Sequence, residues 1–126
     1  MSTWSLLLAL ILGAAAAPPA DRPTGPERLV GTWMVDLRPT PDAPAYLQPL
    51  VIASADSSGV TGTFYGSPLT DAQLNTAWDG VHLAFETRDG SSRYVTTARL
   101  LDGVLSGATY SPDRGLLQPW RARRSD

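Results

Sequence analysis

The chain has 126 residues with 12 acidic and 10 basic side chains, a formal net charge of −2, which fits one domain and argues against nucleic acid as a general partner, since phosphate binding needs an excess of cations. All the basic residues are Arg. With no Cys, there is no disulfide, no Cys-anchored lipid and no thiolate metal site, so stability has to come from burial and strand pairing.

Residues Leu6–Leu12 read LLLALIL and are followed by Gly13 and the small residues Ala14–Ala17. The apolar run is long enough for the core of a secretion signal and short for a bilayer span. Pro18 disfavours a cut directly before it, so cleavage is expected after Ala15 or Ala16, although the segment MSTW ahead of the run lacks Arg or Lys. An uncleaved membrane anchor or a buried apolar helix are the alternatives for this run. The expected division is a signal peptide over 1–16, a flexible Pro-rich linker over 17–28 and one β domain over 29–124. The expected location is periplasmic or secreted, with no stable membrane span after cleavage. The linker segment PPADRPTGPE has no hydrophobic face and reads as extended.

From Gly31 the chain breaks into short alternating runs separated by turn residues, the pattern of an all-β meander. Strands are expected at Gly31–Arg38, Tyr46–Ser54, Val60–Ser67, Gln73–Trp78, Val81–Arg88, Ser91–Leu101, Val104–Ser111 and Leu116–Arg123. Asp79-Gly80, Asp89-Gly90 and Asp102-Gly103 are hairpin turn signals. Val81, Leu83 and Phe85 alternate with His82, Glu86 and Arg88 in the cleanest strand. Eight strands with near-neighbour connections predict an antiparallel up-and-down barrel, the first strand pairing with the last so that edges are removed. A two-sheet sandwich is the structural alternative.

Gly31-Thr32-Trp33 on the first strand and the Arg-rich ending Trp120-Arg-Ala-Arg resemble the lipocalins and wider calycin barrels. The pattern GTW…GTFYGS…FETRDGSSRY…DGVLSGATYS…PWRARR is similar to bacterial secreted lipocalin-like barrels. The resemblance implies a barrel closed at one end by Trp33, with a cation from the last strand over its ring. Arg121, Arg123 or Arg124 would supply that cation, and Trp33, Trp120, Arg121 and Arg123 form the expected closure. It also implies a small apolar or amphipathic ligand in the interior.

An eight-stranded barrel is either filled by its own side chains or holds one small ligand. The inward set includes Trp33, Val35, Leu37, Leu50, Ile52, Phe64, Leu74, Trp78, Val81, Leu83, Phe85, Tyr94, Leu105, Leu116 and Trp120. Both outcomes stay open on this set. Phe64, Trp78, Phe85 and Tyr94 are the candidate ligand-lining residues, Gly62, Gly66, Gly107 and Ala108 are the positions that leave space, and Tyr65, Tyr110 and Asn75 are candidate rim residues.

No catalytic constellation is legible. Asp79 and Asp89 are turn residues, Glu86 lies on the solvent face beside Arg88, and no Gly-x-Ser-x-Gly elbow or phosphate-cradling loop occurs. His82, the lone His, alternates outward, and without a second His or a Cys it points to no metal and no cofactor. Arg121, Arg123 and Arg124 form a solvated tail or a patch for an anionic surface. The expectation is therefore a non-enzymatic exported barrel binding a small apolar or amphipathic molecule. The alternative is a packed barrel acting as a protein-interaction or envelope-associated module.

Overall fold

The computed structural model describes residues 25–125. The expected signal peptide and the first part of the linker lie outside the described residues. The described chain is all-β apart from two short 3-10 helices, Gly25–Leu29 and Pro112–Arg114. Its strands are β1 (Gly31–Asp36), β2 (Leu47–Asp56), β3 (Gly59–Phe64), β4 (Ser67–Pro68), β5 (Thr70–Asn75), β6 (Val81–Asp89), β7 (Ser92–Leu101), β8 (Val104–Ser111) and β9 (Leu116–Arg124).

The order is β4-β3-β2-β1-β9-β8-β7-β6-β5 in one antiparallel sheet, so the first long strand pairs with the last and the sheet curls into a nearly closed barrel. The expected eight-strand count is exceeded by β4, a two-residue piece paired with the end of β3. The two free edges, β4 and β5, are neighbours in sequence. Between them Leu69 continues the ladder of β4 on β3, its amide donating to the Gly62 carbonyl at 3.0 Å, and Leu69, Ala72 and Leu74 pack on the core. The seam is thus covered rather than offered as a sheet edge.

Alternation decides what points inward. On β6, Val81, Leu83, Phe85 and Thr87 are buried while their neighbours are not. The β7–β8 turn places Asp102 and Gly103 at φ 54° and 77°, the paired left-handed geometry that suits a two-residue hairpin to the twist of its strands. Gly62, whose place inside a strand also suggests close backbone approach, and Gly107, expected only to leave space, are both sites of close approach. A Cβ on Gly62 would lie 1.9 Å from the Val51 carbonyl oxygen, and one on Gly107 would lie 2.8 Å from Cζ2 of Trp120. Gly107 therefore makes room for the Trp120 ring and not for a ligand.

One end of the barrel is plugged. The 3-10 helix Gly25–Leu29 occupies the end of the segment expected to be unstructured, and it sets fully buried Leu29 against the core. Trp33 is buried at this end, and its indole Nε1 donates to the Leu29 carbonyl at 2.8 Å. The Arg124 guanidinium lies over the Trp33 ring, 4.4 Å from its centroid. Arg124 also donates through Nη1 to the Val30 carbonyl at 2.7 Å, and through Nη2 to the Arg28 carbonyl. The cation over the tryptophan is Arg124, and the closure roles expected of Arg121 and Arg123 are corrected accordingly. Trp120 and Ala122 are buried on β9, so Arg124 shares their inward parity, and Arg121 and Arg123 point to solvent.

We predict that Arg124→Gln lowers stability by about 1–3 kcal/mol through lost cation–π and charged hydrogen-bond contacts. Arg121→Gln and Arg123→Gln should each stay within about 0.5 kcal/mol of the parent. Urea unfolding midpoints of the three variants check this, and equal effects at all three positions would remove Arg124 from the closure.

Candidate functional site

The interior divides into two halves. Around Trp33 it is filled by Val35, Leu50, Ile52, Val81, Leu83, Leu100 and Leu105, all buried. Above this layer Phe64, Phe85 and Trp120 meet: Phe64 stands edge-to-face on Phe85 with centroids 5.9 Å apart, and lies 6.1 Å from Trp120. At their level and beyond it the inward positions turn small and polar, as Thr96 on β7 opposite Phe85, Thr87 on β6, and Thr109 and Ser111 on β8, all buried. Threonine fills less volume than the aromatic or leucine side chains below it. The barrel consequently keeps a cavity of about 590 Å³ at this end, open to solvent.

The cavity wall combines apolar and polar groups. Leu37, Phe64 and Leu116 supply hydrocarbon, and Thr87, Thr109, Ser67 and Gln118 supply hydrogen-bonding atoms. Tyr46, Tyr65 and Tyr94 stand around the opening with Asp89 and Arg114. Tyr46 and Tyr65 meet edge-to-face at 6.2 Å between centroids, with their hydroxyls hydrogen-bonded. On another part of the rim, Arg114 Nη1 donates to the Tyr94 hydroxyl at 2.9 Å, and that hydroxyl donates to Asp89 Oδ2 at 3.0 Å. The bond to Tyr94 is also the main reason that the Arg114 pKa is raised above its ordinary value.

Three of the four expected lining residues come together here. Phe64 and Tyr94 line the cavity, and Phe85 packs against Phe64. Trp78 does not join them: it is 74% exposed, beyond the end of β5, beside His82 and Arg99 on the outside. The expected strand over Gln73–Trp78 ends early because Asn75 Oδ1 accepts from the Ala77 amide at 2.9 Å, a local turn that competes with strand pairing. Of the rim candidates, Tyr65 lines the opening. Tyr110 is exposed on the outer face of β8, and Asn75 pairs with His82 at the plugged end. Thr87 and Asp89 were missed, yet they continue the inward alternation of Val81, Leu83 and Phe85. Arg114 carries no such signal, because it sits in a 3-10 turn.

Outside the cavity, His82 Nε2 donates to the Asp79 carbonyl at 3.0 Å. Glu86 pairs with Arg93 at 3.1 Å, not with its sequence neighbour Arg88. No group of three or more His, Cys, Asp or Glu residues able to hold a metal occurs among the described residues, and no helix among them is long and apolar enough to cross a membrane.

The long β1–β2 loop that carries Tyr46 is tied down by Asp36. Its carboxylate accepts from Arg38 Nε and Nη2 at 2.9 and 2.7 Å, and from the Arg38 and Tyr46 amides at 3.1 and 3.2 Å. These bonds, the Arg38 side chain foremost, hold its pKa down at about 2 against 3.8.

A comparison with known proteins finds no family model, no curated protein and no solved structure that matches this chain.

Two expectations follow. Thr109 Oγ1 serves both Trp120 Nε1 at 3.0 Å and Thr96 Oγ1 at 2.9 Å, whereas the buried Ser111 Oγ has no hydrogen-bond partner. Thr109→Val should therefore cost about 1–3 kcal/mol by stranding the indole N–H, while Ser111→Ala should be neutral or stabilising. Thermal unfolding of the pair checks this contrast. Because the Asp36 pKa is depressed in the fold, its stabilisation is present above about pH 4 and lost as pH falls through about 2. Asp36→Asn should flatten the acid limb of a stability–pH profile over that window, and an unchanged limb would show that Asp36 does not anchor the loop.

Proposed function

We propose that this chain is an exported, non-enzymatic, lipocalin-like barrel that holds one small amphipathic molecule in its open-ended cavity. The observation that carries the reading is the 590 Å³ cavity itself, with a phenylalanine at its base and polar side chains at its rim. This volume falls within the ~300–1,000 Å³ of ordinary small-molecule sites, which pair apolar walls with a few convergent polar groups. From Phe85 to Asp89 the strand covers roughly 13 Å before tilt, enough depth for a ring or a short chain and too little for a long lipid. Export is supported by the Leu6–Leu12 run and the Ala14–Ala17 site. The lipocalin-like assignment is supported by Gly31-Thr32-Trp33 at the plugged end, beneath the cation of the final strand.

A second reading, an interaction module at the cell envelope, has one observation in its favour. Trp78 is a large, 74% exposed aromatic beside Arg99 on the outer wall, and Trp and Arg are enriched where proteins bind partners.

Leu116→Trp, at a half-buried position on the cavity wall, tests the first reading. A neutral aromatic probe such as phenethyl alcohol should bind the parent and lose at least about tenfold in affinity on this substitution, as judged by calorimetric titration. Equal binding to both proteins would place the probe outside the cavity and end the proposal.

A further inference from the structure

We propose that the mouth of the cavity receives a zwitterionic head group, making the occupant a small α-amino carboxylate with an apolar side chain. This rests on the reading that the cavity holds a ligand.

The rim presents one cation and one carboxylate, Arg114 and Asp89, and both line the cavity. They do not pair with each other. Each ends on the same phenol, Tyr94, which accepts from Arg114 at 2.9 Å and donates to Asp89 at 3.0 Å. Among the described residues the ion pairs are Arg38–Asp36 and Arg93–Glu86, so neither rim charge has a partner of opposite sign within bonding distance. A guanidinium has five N–H donors and a carboxylate about four acceptor sites. Tyr94 takes one of each, and most of the capacity of both groups is left unused.

The two charges are separated by two hydrogen bonds in series. A ligand whose ammonium and carboxylate share one carbon can place its carboxylate on Arg114 and its ammonium on Asp89. Its side chain is then directed down the cavity towards Phe64 and Leu116. A head group with a single charge fits less well. An anion that reaches Arg114 also faces Asp89, and a cation that reaches Asp89 also faces Arg114. The zwitterion meets both and adds no net charge to a mouth that has none. Both rim residues are exposed, so water and salt weaken the interaction, and we expect a preference of about tenfold for each charge matched rather than thousandfold.

The test is calorimetric titration of the full chain with four probes that share one ring: phenylalanine, phenylpropionate, phenethylamine and phenethyl alcohol. Phenylalanine should bind at least about tenfold tighter than each of the others. Asp89→Asn should abolish the preference over phenylpropionate while keeping that over phenethylamine, and Arg114→Gln should do the reverse. An unfolded variant cannot produce this crossed pattern. If phenethyl alcohol binds and phenylalanine binds no tighter, the head-group proposal is overturned and the cavity stands. If phenylpropionate binds tightest, the rim is a plain anion site and the proposal is again overturned. If none of the four binds, the ligand reading falls with it.

Discussion

Everything in this barrel depends on the pairing of β1 with β9 and on the tryptophan that seals it. Trp33 stands opposite Arg124 in that pairing. The indole closes the end of the barrel, the guanidinium covers the indole, and the same guanidinium reaches back to carbonyls of the segment before β1. Two chain ends that are far apart in sequence are thereby fixed to one side chain. The entropy of closing so long a loop grows only slowly with its length, so a modest set of directed contacts can hold it. Without this pairing the sheet would keep exposed strand edges at β1 and β9, with nothing nearby in sequence to cover them. The remaining seam, between β4 and β5, is covered simply because its two sides are joined by Leu69.

Closure at one end sets the conditions at the other. The lower interior is packed with aliphatic side chains and takes the bulk of the apolar burial. The upper interior trades that burial for threonines, which keep a hydroxyl and give up volume. Thr96 and Thr109 satisfy one another, and Thr109 satisfies Trp120 as well. A polar pair at the top of an apolar core costs little when its hydrogen bonds are made. The cavity is thus not a packing fault but the volume left when the strands outrun the supply of large inward side chains.

The barrel and its inward face were largely legible in the sequence, because a period of two is imposed by the strand itself and is hard to conceal. Val81, Leu83 and Phe85 announced their face, and Trp120 announced that of β9. Followed two steps further, the second of these points to Arg124 among the three candidate cations, and places Arg121 and Arg123 on the opposite face. Trp78 failed for a different reason. A side-chain turn at Asn75 ends β5 first, and a short polar residue competing for backbone bonds leaves only a weak mark in sequence. The cavity was not legible in its location. It depends on where Thr87 and Thr109 fall in height along two strands, and on a 3-10 turn that brings Arg114 over the opening. Heights across a barrel follow from register, and register is fixed by every pairing together.

The loops around the opening are not left to float. Asp113 accepts the Arg93 amide at 2.8 Å, tying the Arg114 turn to the β6–β7 hairpin. Gln118 donates to the Arg38 carbonyl at 2.9 Å, tying β9 to the β1–β2 loop. Asp36 in turn holds the Tyr46 amide of that same loop. Each bond joins a rim segment to its neighbour through a side chain, so the positions of Tyr46, Tyr94 and Arg114 are set before anything enters. Association is weakened by every group that must be ordered on binding, at about 0.5–1.5 kcal/mol for a mobile side chain. A rim already fixed by its own hydrogen bonds avoids most of that cost, which is what the proposed discrimination between molecules differing by one charged group requires.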